Sequence, residues 1–269
     1  MVKNRLIVLR TILVVVIALV APNALAEHSW ATYHWARTTS SFTLQTVDSC
    51  TPDWDFELGK AVSEWSQSNS LDLSVTSSDD SARTRKRCPM VGGQIRVCNA
   101  AYGQNGWLGL ASIGIDSNGH IDQGAAKMND SYDWYFTPNE KRHVMCQEVG
   151  HLFGLGHTSE DGSSQSTCMD YSTSPNSISP NNHDYQQLSA IYSHTDSYNT
   201  YDDGGSSGGG TCHAPPGKGC NKFGAPSDAP MGVRVKKGDG HELWVAPRAG
   251  GGLWIHHVTL VPEDAKRGH

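Results

Sequence analysis

Apolar and polar residues recur with two different periods along this chain, and the switches between them mark its elements. Phe42-Thr43-Leu44-Gln45-Thr46-Val47 alternates at every residue, which lines one face of an extended strand with apolar side chains. From Thr51 the period lengthens. Trp54, Leu58, Ala61, Val62 and Trp65 share one helical face, with Thr51 as cap and Pro52 at the first helical position, so a core-packing helix is expected over 52–67. Leu71-Asp72-Leu73-Ser74-Val75-Thr76 returns to alternation, and 94–98 reads as a further strand. Between them, Arg83-Thr84-Arg85-Lys86-Arg87 has no apolar face and is read as a solvated loop. Residues 106–115 and 121–129 flank Asp116-Ser117-Asn118-Gly119, whose Asn-Gly pair accepts positive φ and predicts a β-hairpin.

Thr137-Pro138-Asn139-Glu140 combines a capping box with proline at the first helical position. The helix it starts is expected to run to about Phe153 and to stop at Gly154. A Ser- and Gly-rich loop follows, then Cys168-Met169-Asp170-Tyr171, a turn around Pro175 to Pro180, and a closing helix over 182–193 with Tyr185, Leu188 and Ile191 or Tyr192 inward. Residues 201–210 are a flexible linker by their Gly and Ser content. Residues 211–269 contain strand-like runs at 232–235, 242–245 and 253–258 and are expected to form a small β-rich accessory module or a partly disordered tail.

Lys3, Arg5 and Arg10 precede an apolar run from Ile12 to Ala21 and the small-residue stretch Ala24-Leu25-Ala26. That order reads as a secretory signal peptide over 1–26, cleaved after about Ala26, with an apolar run too short to span a bilayer. A secreted, extracellular protein with no membrane span is expected, its main domain over 27–200. The 27 Asp and Glu outnumber the 21 Lys and Arg, the more so once the leader is removed, which argues against nucleic acid as a partner. Seven cysteines in an exported chain favour disulfides over thiols. Spacing suggests Cys88 with Cys98, Cys146 with Cys168 and Cys212 with Cys220, leaving Cys50 over, although spacing alone leaves other connectivities open.

The chemistry concentrates in Cys146-Gln147-Glu148-Val149-Gly150-His151-Leu152-Phe153-Gly154-Leu155-Gly156-His157. Residues four apart share a helical face, so Gln147 and His151 can point at one ion with Glu148 beside them. Gly154 can take the positive φ that lets the chain double back and deliver His157. The stretch resembles the metzincin zinc-endopeptidase signature H-E-x-x-H-x-x-G-x-x-H, the matrixin-like branch most closely, with Gln147 in place of the first His. Cys168-Met169-Asp170-Tyr171 falls where that clan carries its Met-turn, and its Met-x-Tyr pattern is similar to astacin-like and serralysin-like members, in which the Tyr approaches the zinc.

Carried over position by position, the resemblance implies Glu148 as general base, Gln147, His151 and His157 as zinc ligands, Met169 as the turn methionine, and Tyr171 as a further ligand or oxyanion donor. It also implies that a Cys146–Cys168 disulfide pins the Met-turn to the catalytic helix. An amide oxygen is a poorer zinc donor than imidazole, so Gln147 predicts weaker metal binding and a more Lewis-acidic ion. His143, His120 and His183 are read as ordinary polar histidines. Asp116, Asn118 and Asp122 resemble a fragment of a calcium loop that lacks its glutamate, which makes calcium a second candidate ion, although turn chemistry alone accounts for them.

The expected fold is α/β (α+β): a metzincin-type catalytic domain with a twisted, mostly parallel sheet of about five strands and three helices, plus a small C-terminal appendage. The implied function is that of a secreted zinc-dependent metalloendopeptidase hydrolysing protein or peptide substrates with a metal-activated water and a Glu base. The alternative, favoured by Gln147, is a catalytically weak or inactive secreted binding or adhesion protein on the same fold.

Overall fold

The computed structural model describes residues 28–201 and 229–266. The stretch read as a signal peptide, the Gly-rich linker at 202–210 and the expected Cys212–Cys220 pair lie outside the described residues. The described chain forms eight strands, β1 (Phe42–Ser49), β2 (Leu71–Ser78), β3 (Ile95–Ala100), β4 (Trp107–Ile115), β5 (Ile121–Asn129), β6 (Val233–Lys237), β7 (His241–Pro247) and β8 (Leu253–Leu260). Its helices are α1 (Asp55–Trp65, preceded by a 3₁₀ turn at Pro52–Trp54), α2 (Ala82–Arg87), α3 (Pro138–His151), α4 (Asn182–Ile191) and the short α5 (Glu263–Lys266).

All eight strands join one sheet in the order β2-β1-β3-β5-β4-β8-β7-β6. β1 pairs in parallel with β2 and β3, and β3 with β5, whereas β5–β4, β4–β8, β8–β7 and β7–β6 are antiparallel. The expectation of about five mostly parallel strands is therefore corrected to a mixed α/β fold with eight strands and a majority of antiparallel pairings. The reason is the C-terminal segment. Its three strand-like runs do not form a separate appendage but add to β4, with Ala111 opposite His257 and Ser112 opposite His256. The backbone groups of β4 on that side are thereby paired rather than left as an open edge.

Three fully buried tryptophans of the core give their indole N–H to acceptors. Trp65 of α1 is fully buried and donates to Cys146 O of α3 at 3.0 Å, Trp35 donates to Leu152 O at 2.9 Å, and Trp54 to Asp130 Oδ1 at 3.0 Å. α3 starts at the expected capping box, Thr137 with Glu140, and α4 starts at another, Asn181 with Asp184. The regular part of α3 ends at His151, and Gly154 turns the chain at φ 95° with Tyr33 O where a Cβ would lie, so only glycine fits. The basic run departs from expectation. Ser81 accepts from Thr84 N and caps α2, while Arg85 reaches Asn99 O at 3.2 Å, so the run coils over the sheet instead of forming a loop. Disulfides join Cys88 to Cys98 and Cys146 to Cys168, and Cys50 is a buried free thiol. No described helix is long and apolar enough to cross a membrane.

Candidate metal centre

The last turns of α3 carry Gln147, Glu148 and His151, all fully buried. Glu148 fits beneath β4 because residue 109 is glycine, where an added Cβ would come within 2.3 Å of Glu148 Oε1. The turn at Gly154 returns the chain so that the His151 and His157 rings lie 4.7 Å apart between centroids. Met169 is completely buried, and its carbonyl accepts from Thr158 N at 2.9 Å, which holds the Met169 turn against the chain leaving His157.

Gln147 is engaged elsewhere. Its amide nitrogen donates to Cys168 O and Asp170 O, each at 3.0 Å, and its Oε1 accepts from Thr259 Oγ1 at 2.8 Å. The side chain expected as a ligand therefore braces the Met169 turn and meets the C-terminal strand. The imidazole that joins the pair is His257 of β8, with ring centroids 3.9 Å from His151 and 4.3 Å from His157. Ligand atoms of His151, His157 and His257 all lie within 4.8 Å of one another.

Hydrogen bonding on the far side of two rings leaves a lone pair facing inward. His151 Nδ1 lies 2.8 Å from Leu155 O and can only donate to it, which strips the proton from Nε2. His257 Nε2 lies 2.9 Å from the Tyr171 hydroxyl, and in the tautomer that donates to that oxygen Nδ1 is free. His151 Nε2, His157 Nε2, His257 Nδ1 and Glu148 Oε2 are buried and have no hydrogen-bond partner. Four orphaned polar atoms meeting in one buried place would cost several kcal/mol, roughly 1–3 for each neutral group, unless a cation satisfies them. Three imidazoles and a nearby carboxylate suit zinc.

The electrostatics agree with burial. Desolvation raises the Glu148 carboxyl to about 7 against the lowering effects of His151 and Thr259. Burial and mutual repulsion hold His151 and His157 well below the usual histidine range, so they are neutral and able to donate lone pairs. Tyr171 packs on His157 at 4.2 Å and stacks on His241 at 4.7 Å, and burial pushes its hydroxyl well above its ordinary value.

β8 also covers the site. Thr259 Oγ1 shares its single proton between Gln147 Oε1 and Glu148 Oε1, and His257 Nδ1 sits 4.0 Å from Glu148 Oε2. A cavity of about 750 Å³, bordered by Leu108, His143, Tyr171 and Thr259, and another of about 600 Å³, bordered by Trp30, His157, His241 and His257, both reach β8, yet Glu148 and His151 line neither.

Among the other expected residues, His143 bonds to Ser177 O rather than entering the cluster. Asp116 Oδ1 accepts from Asn118 N and His120 N within the hairpin turn, and Asp122 pairs with Arg248 at 2.8 Å, so the suggested calcium fragment is spent on turn and ion-pair contacts. Sequence reasoning missed His257 and Thr259. The only signal was the His256-His257 pair in a strand-like run, where neighbours face opposite ways. His256 meets Ser112 Oγ at 2.8 Å while His257 meets the centre. No family model matches the chain, and no curated protein is significantly similar to it.

Proposed function

We propose that the chain is a secreted metzincin-like, zinc-dependent peptide hydrolase whose C-terminal strand closes its own site. The observation that carries this reading is the convergence of His151 Nε2, His157 Nε2, His257 Nδ1 and Glu148 Oε2, all buried and unpartnered, beside the Tyr171 hydroxyl. Zinc would be held by His151, His157 and His257 while β8 is in place. When β8 leaves it takes His257 with it, and Gln147 Oε1, then free of Thr259, would stand as third ligand beside His151 and His157, where the ion would supply the Lewis acidity that polarises a peptide carbonyl and acidifies water.

The remaining work falls to the chain. Glu148 takes a proton from the attacking water and returns it to the leaving amine. Tyr171 donates its hydroxyl proton to the developing oxyanion once it is released from His257. β4 runs directly beside Glu148 and offers its backbone groups to an extended peptide, a mode of recognition in which the ligand is added as a strand. β8 already occupies that side of β4 and places Thr259 on Glu148, so in this form the site is shut.

The complete burial of Glu148 and His151 also favours a second reading, a secreted binding protein in which the ion is permanently enclosed and structural. One experiment separates the two. A specific protease site is introduced within 202–210 and cut after folding, and casein hydrolysis is followed before and after the cut, with and without chelator, beside Glu148→Ala. Hydrolysis that rises on cutting and is lost with chelator and in Glu148→Ala is the expected result. Bound zinc with no hydrolysis in any sample would establish the enclosed structural ion instead.

A further inference from the structure

A second group of metal-ligating side chains lies where three distant segments meet: the N-terminal stretch before β1, the turn between β4 and β5, and the chain after α4. Ile121 N donates to His34 O at 2.8 Å, Asp196 N to Arg37 O at 2.7 Å, and Arg37 N to Asp196 Oδ2 at 2.9 Å. No disulfide ties these segments among the described residues. At their meeting point the Asp196 carboxylate faces three imidazoles. His34 Nε2 lies 3.4 Å from Oδ2, while His120 Nε2 and His194 Nε2 lie 3.3 and 3.6 Å from Oδ1.

The outer nitrogens of two of these rings decide their tautomers. His34 Nδ1 donates to Thr32 O at 2.7 Å. His120 Nδ1 is 2.7 Å from the Tyr198 hydroxyl, which itself donates to Asp116 Oδ2 at 2.9 Å and so accepts from His120. In the neutral rings both Nε2 lone pairs therefore point at a carboxylate, an arrangement that repels unless a cation lies between. His34 Nε2 is buried with no hydrogen-bond partner.

Distance distinguishes a proton from a metal ion. An N–H···O bond closes to about 2.7–3.2 Å. Ligand atoms about 2.0–2.1 Å from a tetrahedral zinc lie roughly 3.3–3.4 Å from each other. The three separations of 3.3–3.6 Å, one to Oδ2 and two to Oδ1, all exceed the first range and lie near the second. Ligand atoms of His34, His194 and Asp196 also fall within 4.8 Å of one another.

We propose that His34, His194 and Asp196 form a site for a zinc-class divalent cation, separate from the Glu148 centre, with His120 lying against Asp196 Oδ1 outside the ligand set. Two imidazoles and a carboxylate are donors that zinc accepts, and water would complete the shell. The ion acts as a staple, holding the segment that carries His34 to the chain after α4. The inference is independent of whether the chain hydrolyses peptides.

The test compares the full chain with His194→Ala and Asp196→Ala, each stripped by chelator, reloaded with zinc, dialysed and assayed for bound metal and unfolding temperature. His194 is 54% exposed, so its loss should leave the metal-free protein as stable as the parent. The expected result is one ion fewer per chain in both variants and a smaller zinc-induced rise in unfolding temperature. Cobalt loaded into a His157→Ala background should still give tetrahedral d–d absorption, which His194→Ala then abolishes. Equal zinc content and equal zinc-induced stabilisation in parent and variants would overturn the proposal and leave a protonated His–Asp network. Should the His157→Ala background fail to fold, the metal counts of parent and His194→Ala decide alone.

Discussion

The two halves of the sheet are held in different ways. On one side of β5, the strands β2, β1 and β3 run parallel to one another, β3 is buried at every position, and the fully buried Trp65 joins α1 to the backbone of α3. On the other side, β8, β7 and β6 run antiparallel, burial falls away strand by strand, and β6 is exposed at all its residues. β6 is protected as an edge by charge: Arg234 pairs with Glu242 and Lys236 with Glu160. The first half is a hydrophobic core that happens to contain a sheet. The second is a ladder laid against a finished core, anchored through Ile255, Val258 and Val261 and through His257 and Thr259 at the candidate metal centre. Local stability follows buried apolar contact, so the C-terminal strands should open at a lower free energy than the rest.

Three substitutions grade that difference. Trp65→Ala removes a fully buried indole and the hydrogen bond to Cys146 O, and should cost about 3–5 kcal/mol, lowering the denaturant midpoint of the entire described fold. A transition in which β6–β8 alone respond would contradict the division drawn above. Ile255→Ala, on β8, should cost less, toward the lower end of the roughly 2–5 kcal/mol usual for such truncations. Its mark is regional: amide exchange should quicken in β6, β7 and β8 while β1 and β3 keep their protection, and uniform acceleration would show that the sheet opens as one unit. Arg234→Ala breaks an ion pair whose arginine is 43% exposed, and screening limits the loss to under about 1 kcal/mol by equilibrium unfolding.

Legibility from sequence follows the same division. The capping box at Thr137, the exit at Gly154 and the strands β1 to β5 rest on local rules of period, cap and turn, and such rules act wherever the chain goes. The disulfides Cys88–Cys98 and Cys146–Cys168 were suggested by spacing and are formed. α2 was misjudged because its helix depends on the Ser81 cap and on carbonyls of another strand, which the lack of an apolar face concealed. The C-terminal strands were recognised as strands but not as part of this sheet, since edge pairing is made by backbone groups that every sequence possesses.

For the candidate site, sequence alone determined that Glu148, His151 and His157 would be presented together, because helix spacing and one glycine turn suffice to bring them to one place. Gln147 stood out from sequence as the irregular position, but its part in bracing Cys168 and Asp170 depends on a turn 21 to 23 residues away. That His257 stands where a third imidazole is needed, that Thr259 covers Glu148, and that His34, His120 and His194 surround Asp196 were decided only by tertiary structure. Apart from His194, two positions from Asp196, these contacts join residues between 76 and 162 positions apart, and no local periodicity encodes a pairing whose partners are brought together by the burial of everything between them.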